Sequence, residues 1–139
     1  MSLPTTDPAT MAANRIADQV GTLTAGTNLF IGPVRGHSET IPLLCVFVES
    51  TGGPYPDRML GSFRTIKNPH VQVRVRGDGE GGYQAGLDLA RQCAAAVDGW
   101  HPGEGYMVGR LLDSDVSGMG LDSQGNPEFV FNLEFLWSG

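Results

Sequence analysis

From Glu128 to Trp137 the chain alternates with a period of two. Phe129, Phe131, Leu133, Phe135 and Trp137 fall on one side, and Asn132 and Glu134 fall on the other. Successive side chains of a β-strand point to opposite faces, so this segment predicts a strand with one apolar and one mixed face. A face this aromatic has to be buried. Val71, Val73 and Val75 alternate with Gln72, Arg74 and Arg76 in the same way. The run Leu43 to Val48 is apolar throughout and rich in β-branched and aromatic residues, the pattern of a central strand. The fold must therefore contain a sheet with one greasy face, and something has to cover that face.

Two segments with helical spacing can do so. Ala13, Ile16, Val20 and Leu23 recur every three or four residues, with Asp7 placed as N-cap, Pro8 at the first helical position and Gly26 ending the pattern. Tyr83, Leu87, Ala90, Ala94 and Val97 form a second stripe, widened by Leu89 and Cys93, on a helix from about Glu80 to Asp98. Gly99 sits at its C′ position, and Pro102 prevents the helix from resuming. Further strands are expected at Leu29 to Val34, Phe63 to Ile66 and Tyr106 to Leu112, with a polar turn at 35–40 and long loops at 49–62 and Asp113 to Pro127. The expected fold class is α+β: a single mixed, mostly antiparallel sheet of about five strands with two amphipathic helices on one face. With 139 residues there is room for one domain, taken as 8–139, behind a flexible arm at 1–7.

Composition narrows the chemistry. The net charge is −6, and the basic residues, eight Arg and Lys67, form no stripe, which argues against a nucleic-acid reader. The opening residues lack the basic and apolar regions of a signal peptide, and Ile41 to Val48 is too short to span a bilayer. Cys45 and Cys93 sit in apolar surroundings and read as buried free thiols.

Several motifs invite chemistry and fall short of it. Gly77-Asp-Gly-Glu-Gly-Gly82 matches the dinucleotide fingerprint in spacing, but Asp78 and Glu80 would repel a pyrophosphate. Asp113, Asp115, Ser117 and Gly118 resemble the start of a calcium loop, yet the bidentate Glu it needs is replaced by Gln124. Arg76-Gly77-Asp78 spells an adhesion tripeptide by chance. His37, His70 and His101 lack metal-ligand spacing, and no serine or cysteine stands in a nucleophile motif.

Three stretches carry a resemblance. They are Leu43-Leu-Cys-Val-Phe-Val-Glu-Ser-Thr-Gly-Gly-Pro54, Asn68-Pro-His-Val-Gln-Val-Arg-Val-Arg-Gly77 with the Ala-rich helix after it, and Gly120-Leu-Asp-Ser-Gln-Gly-Asn-Pro-Glu-Phe-Val-Phe-Asn-Leu-Glu-Phe135. Together, over roughly residues 8–137, they resemble the tail terminator (tail completion, or minor tail) proteins of long-tailed, non-contractile bacteriophages. The resemblance implies a structural virion protein, assembled in the host cytoplasm, at the head-proximal end of the tail. It implies a homo-oligomeric ring, commonly a hexamer, that caps the tail tube, stops its growth and offers the surface joining it to the head-tail connector. It implies no catalysis and no cofactor, and DNA would pass through the ring without specific binding. A repeated charge of −6 around such a channel would repel phosphates.

Within such a ring, the polar strand face of Gln72, Arg74 and Arg76 is the expected subunit interface. The loop from Asp113 to Pro127 is the expected contact with the tail tube or the neck, with Met119 and Leu121 as apolar anchors and Asp115 and Asp122 as polar contacts. Three alternatives stay open. One is another small neck or tail protein, for head completion or tube building. The others are a small nucleotide- or ligand-binding domain using the 77–82 turn, and a small hydrolase with an acidic pair.

Overall fold

The computed structural model describes residues 7–32, 41–54, 57–58, 65–103 and 106–138. The expected arm at 1–6, the polar turn at 35–40, the start of the expected strand at Phe63 and His37 lie outside the described residues.

Helix α1 (Pro8–Gln19) is followed by β1 (Leu29–Ile31), β2 (Cys45–Ser50), β3 (Asp57–Arg58), β4 (Thr65–Lys67) and β5 (His70–Arg76). A single 3₁₀ turn (Glu80–Gly82) leads into α2 (Tyr83–Val97), then β6 (Tyr106–Leu111), β7 (Ser117–Leu121) and β8 (Pro127–Ser138). The class is α+β, as the alternation and the two helical stripes require.

The eight strands form one sheet and fill only five ranks, because three ranks are interrupted. β8 is the spine. On one side it pairs with β5 (Arg76↔Glu128 to His70↔Glu134), and beyond a break at Asn68 and Pro69 with β4 (Lys67↔Trp137). On the other side it pairs with β6 (Leu111↔Leu133 to Tyr106↔Trp137) and, nearer its start, with β7 (Ser117↔Val130, Leu121↔Pro127). β2 flanks β5, β3 flanks β4, and β1 lies outside β2 as the one parallel strand pairing among the described residues. The single parallel pair makes the sheet mixed and mostly antiparallel.

Register places Val46 opposite Val75, Val48 opposite Val73, Val73 opposite Phe131 and Val71 opposite Leu133. All of these are buried, and with Phe129 and Phe135 they form the apolar face. Both helices cover that face. α1 contributes Ala9, Ala12, Ala13 and Ile16, and α2 contributes Leu89, Ala90, Cys93, Ala94 and Val97. Trp100 and Tyr106 close the end of the core edge-on to Phe135, with ring centroids at 5.8 and 5.4 Å.

The helices sit close to the sheet because their inner residues are small. At Gly86 an added Cβ would lie 2.9 Å from the Phe129 ring and 3.2 Å from the Gly77 Cα. That glycine lets α2 rest directly on β8.

α1 is shorter than its stripe suggests. It stops at Gln19, and Val20 and Leu23 stay buried in the turns that follow. Its start is as expected: Asp7 Oδ2 accepts the Thr10 amide at 3.2 Å. Asp7 Oδ1 also accepts the Ser50 hydroxyl at 2.8 Å, tying the helix entrance to the end of β2. β2 begins at Cys45 rather than Leu43, since Leu43 and Leu44 are exposed.

Candidate functional site

The face of the sheet turned away from the helices is built from cross-strand rows. The first row is Phe30, Phe47, Arg74, Val130 and Ser117. Phe30 and Phe47 stack with centroids 5.8 Å apart, and the Arg74 guanidinium lies 4.9 Å above the Phe47 ring. A guanidinium over an aromatic face is held by the ring quadrupole. The second row is Glu49, Gln72 and Asn132. The third is His70, Glu134 and Arg110. Glu134 is 8% exposed; its Oε1 lies 3.6 Å from Arg110 Nη2 and its Oε2 4.0 Å from His70 Nε2.

The fourth row, Cys45, Arg76 and Glu128, requires a correction. Arg76 was expected to offer its charge to another subunit. It is only 2% exposed. Its Nε donates to the Leu43 carbonyl at 2.9 Å and its Nη2 to the Pro42 carbonyl at 3.0 Å. The guanidinium is thus spent inside the subunit, holding residues 42–43 over the end of the sheet. Its burial also removes the adhesion tripeptide from view. Gln72 and Arg74 remain half-exposed on the same face.

Charge is divided between the two sides. On the outer face Glu49, Glu128 and Glu134 balance Arg74, Arg76 and Arg110. Among the described residues, the helices, their turns and the sheet ends carry Asp7, Asp18, Asp78, Glu80, Asp88, Asp98, Asp113, Asp115 and Asp122 against Arg15, Lys67 and Arg91. The outer face is neutral, while the helices, turns and sheet ends together carry a net negative charge.

The segment expected as one long loop at 113–127 contains a strand, β7, between two shorter connections. β7 pairs with the first part of β8 and ends in a tight turn. Its glycines and acids hid the strand from a composition-based reading; β8 begins early enough to template it. Asp115 is turned back onto α2, where Arg91 Nη2 meets its Oδ2 at 3.0 Å and Arg91 Nε its Oδ1 at 3.4 Å. This pairing holds the Asp115 carboxyl below its ordinary range. Asp122 Oδ1 accepts the amides of Gln124 and Asn126, both at 2.9 Å, in the turn itself. Met119 and Leu121 are 57% and 62% exposed, so neither folds back onto the core.

The 77–82 turn is held by packing. An added Cβ on Gly77 would lie 2.6 Å from the Gly82 carbonyl oxygen and 2.8 Å from Pro127. Asn126, 3% exposed, accepts the Gly79 amide at 3.0 Å. Gly77 therefore has a steric reason to be there. Burial pushes the Cys93 thiol up to about 12 and raises Cys45 as well, so neither is a ready nucleophile. Among the described residues no group of three or more His, Cys, Asp or Glu converges as metal ligands, and no helix is long and apolar enough to cross a membrane.

No family model matches the chain, and no curated protein matches it in sequence.

Sequence reasoning did not find Phe47 and Phe30 as an outer-face pair, the Glu134 row, or Asn126. One signal was available for Phe47. It lies between Val46 and Val48 in an uninterrupted apolar run, which marks a strand covered on both faces.

Proposed function

We propose that the protein is a structural subunit of a phage tail, acting as a tail terminator: copies close into a ring that caps the tube, stops its growth and presents the head-joining surface. The observation that carries this reading is the division of charge. A neutral sheet face of half-exposed Arg74, Gln72, Val130 and Asn132 stands apart from the helices, turns and sheet ends, which together carry a net negative charge. Acidic regions repel one another, so copies approach through the neutral face, whose mixture of aromatic, aliphatic and polar rows suits a subunit contact. In the closed ring the acidic regions are left free, and where they face the channel they favour DNA passage over DNA binding.

The interface is assigned to Gln72 and Arg74 with Val130 and Asn132 across the strand pairs, and Arg76 supports it from beneath. The test is polymerisation of the cognate tail-tube protein with and without this chain. Added chain should cap tubes and hold their length constant; tubes that keep growing, with none of the chain at their ends, would refute the assignment.

A further inference from the structure

We propose that the open edge of β7 is a strand-addition site, and that its occupant is an extended peptide segment of a partner with basic residues at its two ends. β8 is paired along both of its sides, and β6 carries a bridge to Trp100, so among the described residues β7 is left at the edge of the sheet. All five residues of β7 are exposed. A sheet edge presents unpaired amides and carbonyls, and proteins ordinarily blunt it with Lys, Pro or an inward charge. Val116 to Leu121 contains no Lys, Pro or charge; its guards are its five-residue length and a bulge, which oppose a long flat partner and leave room for a short one. The strand offers Met119 and Leu121, both exposed and apolar, as anchors for alternate side chains of an added strand. The register shift between Gly118 and Gly120 twists the edge, so the site fits a short segment rather than a long flat sheet.

Charge selects the occupant. Asp113 and Asp115 stand at one end of β7 and Asp122 at the other, with Arg91 balancing Asp115. A second copy pairing antiparallel through β7 would bring the end near Asp113 of one chain toward Asp122 of the other, which like charges disfavour. A segment with Lys or Arg at both ends meets acids at both ends. This site goes beyond the ring and does not depend on it, because the ring contact lies on the sheet face and this one on its edge.

The test uses the full chain and fluorescein-labelled synthetic peptides. The reference peptide is Lys-Val-Thr-Val-Thr-Val-Lys. One control has Glu at both ends, and another has its central amides N-methylated. Binding is read by anisotropy and by hydrogen exchange of the amides at 117–121. The reference peptide should bind, slow that exchange and weaken with added salt. N-methylation removes several main-chain hydrogen bonds and should weaken binding by about tenfold or more. The Glu-ended peptide should bind more weakly by a similar factor of roughly ten. Met119→Ser combined with Leu121→Ser removes only exposed side chains, leaves the fold intact and should also weaken binding. Equal binding by the N-methylated peptide, unchanged exchange at 117–121, or no binding by the reference peptide would overturn the site. Each of those results would leave the mass of the assembled ring unaffected.

Discussion

Arg76 lies beneath Leu43: its Nε reaches the Leu43 carbonyl at 2.9 Å, and the same guanidinium reaches Pro42. A charged residue on the outer face is thereby buried within one subunit. Replacing it leaves the Leu43 and Pro42 carbonyls without this donor and opens a space under residues 42–43. Arg76→Ala should cost about 2–4 kcal/mol, read by urea unfolding, and Arg76→Glu should cost more. Arg74→Glu should change stability by only about 0–1 kcal/mol, since that side chain is half-exposed. The two arginines therefore separate folding from association.

Phe131 and Leu121 give a second contrast. Phe131 is 1% exposed at the middle of the spine strand, and Leu121 is 62% exposed at the end of an edge strand. Phe131→Ala should lose about 3–5 kcal/mol, and Leu121→Ser should stay within about 0.5 kcal/mol in the same unfolding measurement.

Gly86→Ala tests the close approach of α2 to β8. Helix propensity alone would favour alanine by about 1 kcal/mol. Its Cβ would instead meet the Phe129 ring at 2.9 Å and the Gly77 backbone at 3.2 Å. Overpacking should win, giving a net loss of about 1–3 kcal/mol. A more stable Gly86→Ala protein would mean that the helix is not seated as described.

The Arg91–Asp115 pair ties the 112–116 break to α2. The hydrogen bond from Arg91 lowers the Asp115 carboxyl in the folded chain. A group depressed in the folded state contributes stability above its unfolded value and loses it as pH falls through the folded value. A carboxyl titration by NMR should place Asp115 below an ordinary aspartate, and Arg91→Gln should raise it toward the ordinary range, the Val116 amide keeping part of the shift. Both groups are fully exposed, so salt should erode the difference.

The fold was legible where periodicity is strong. Val71, Val73 and Val75 and the aromatic series from Phe129 to Trp137 announce their strands because burial on one face leaves a period of two. Three things escaped. β7 has glycine at two of five positions and no buried residue, so no periodic signal exists; it is a strand only because β8 extends past β6. The interrupted ranks depend on breaks such as Asn68 and Pro69, which a linear reading takes as strand ends. The burial of Arg76 depends on a chain segment 33 residues earlier, and local pattern cannot show which polar face a distant segment will cover.

The central claim is a self-assembling structural subunit joined through its neutral sheet face. It is tested most directly by the solution mass of the purified chain, measured by light scattering beside a variant carrying Arg74→Glu and Val130→Glu. Wild-type protein should scatter as a closed ring, a fixed whole-number multiple of the 14.8 kDa subunit, and the variant should scatter as a folded subunit of 14.8 kDa. A folded wild-type chain that remains at 14.8 kDa at every concentration, with and without tail tubes, would contradict the account.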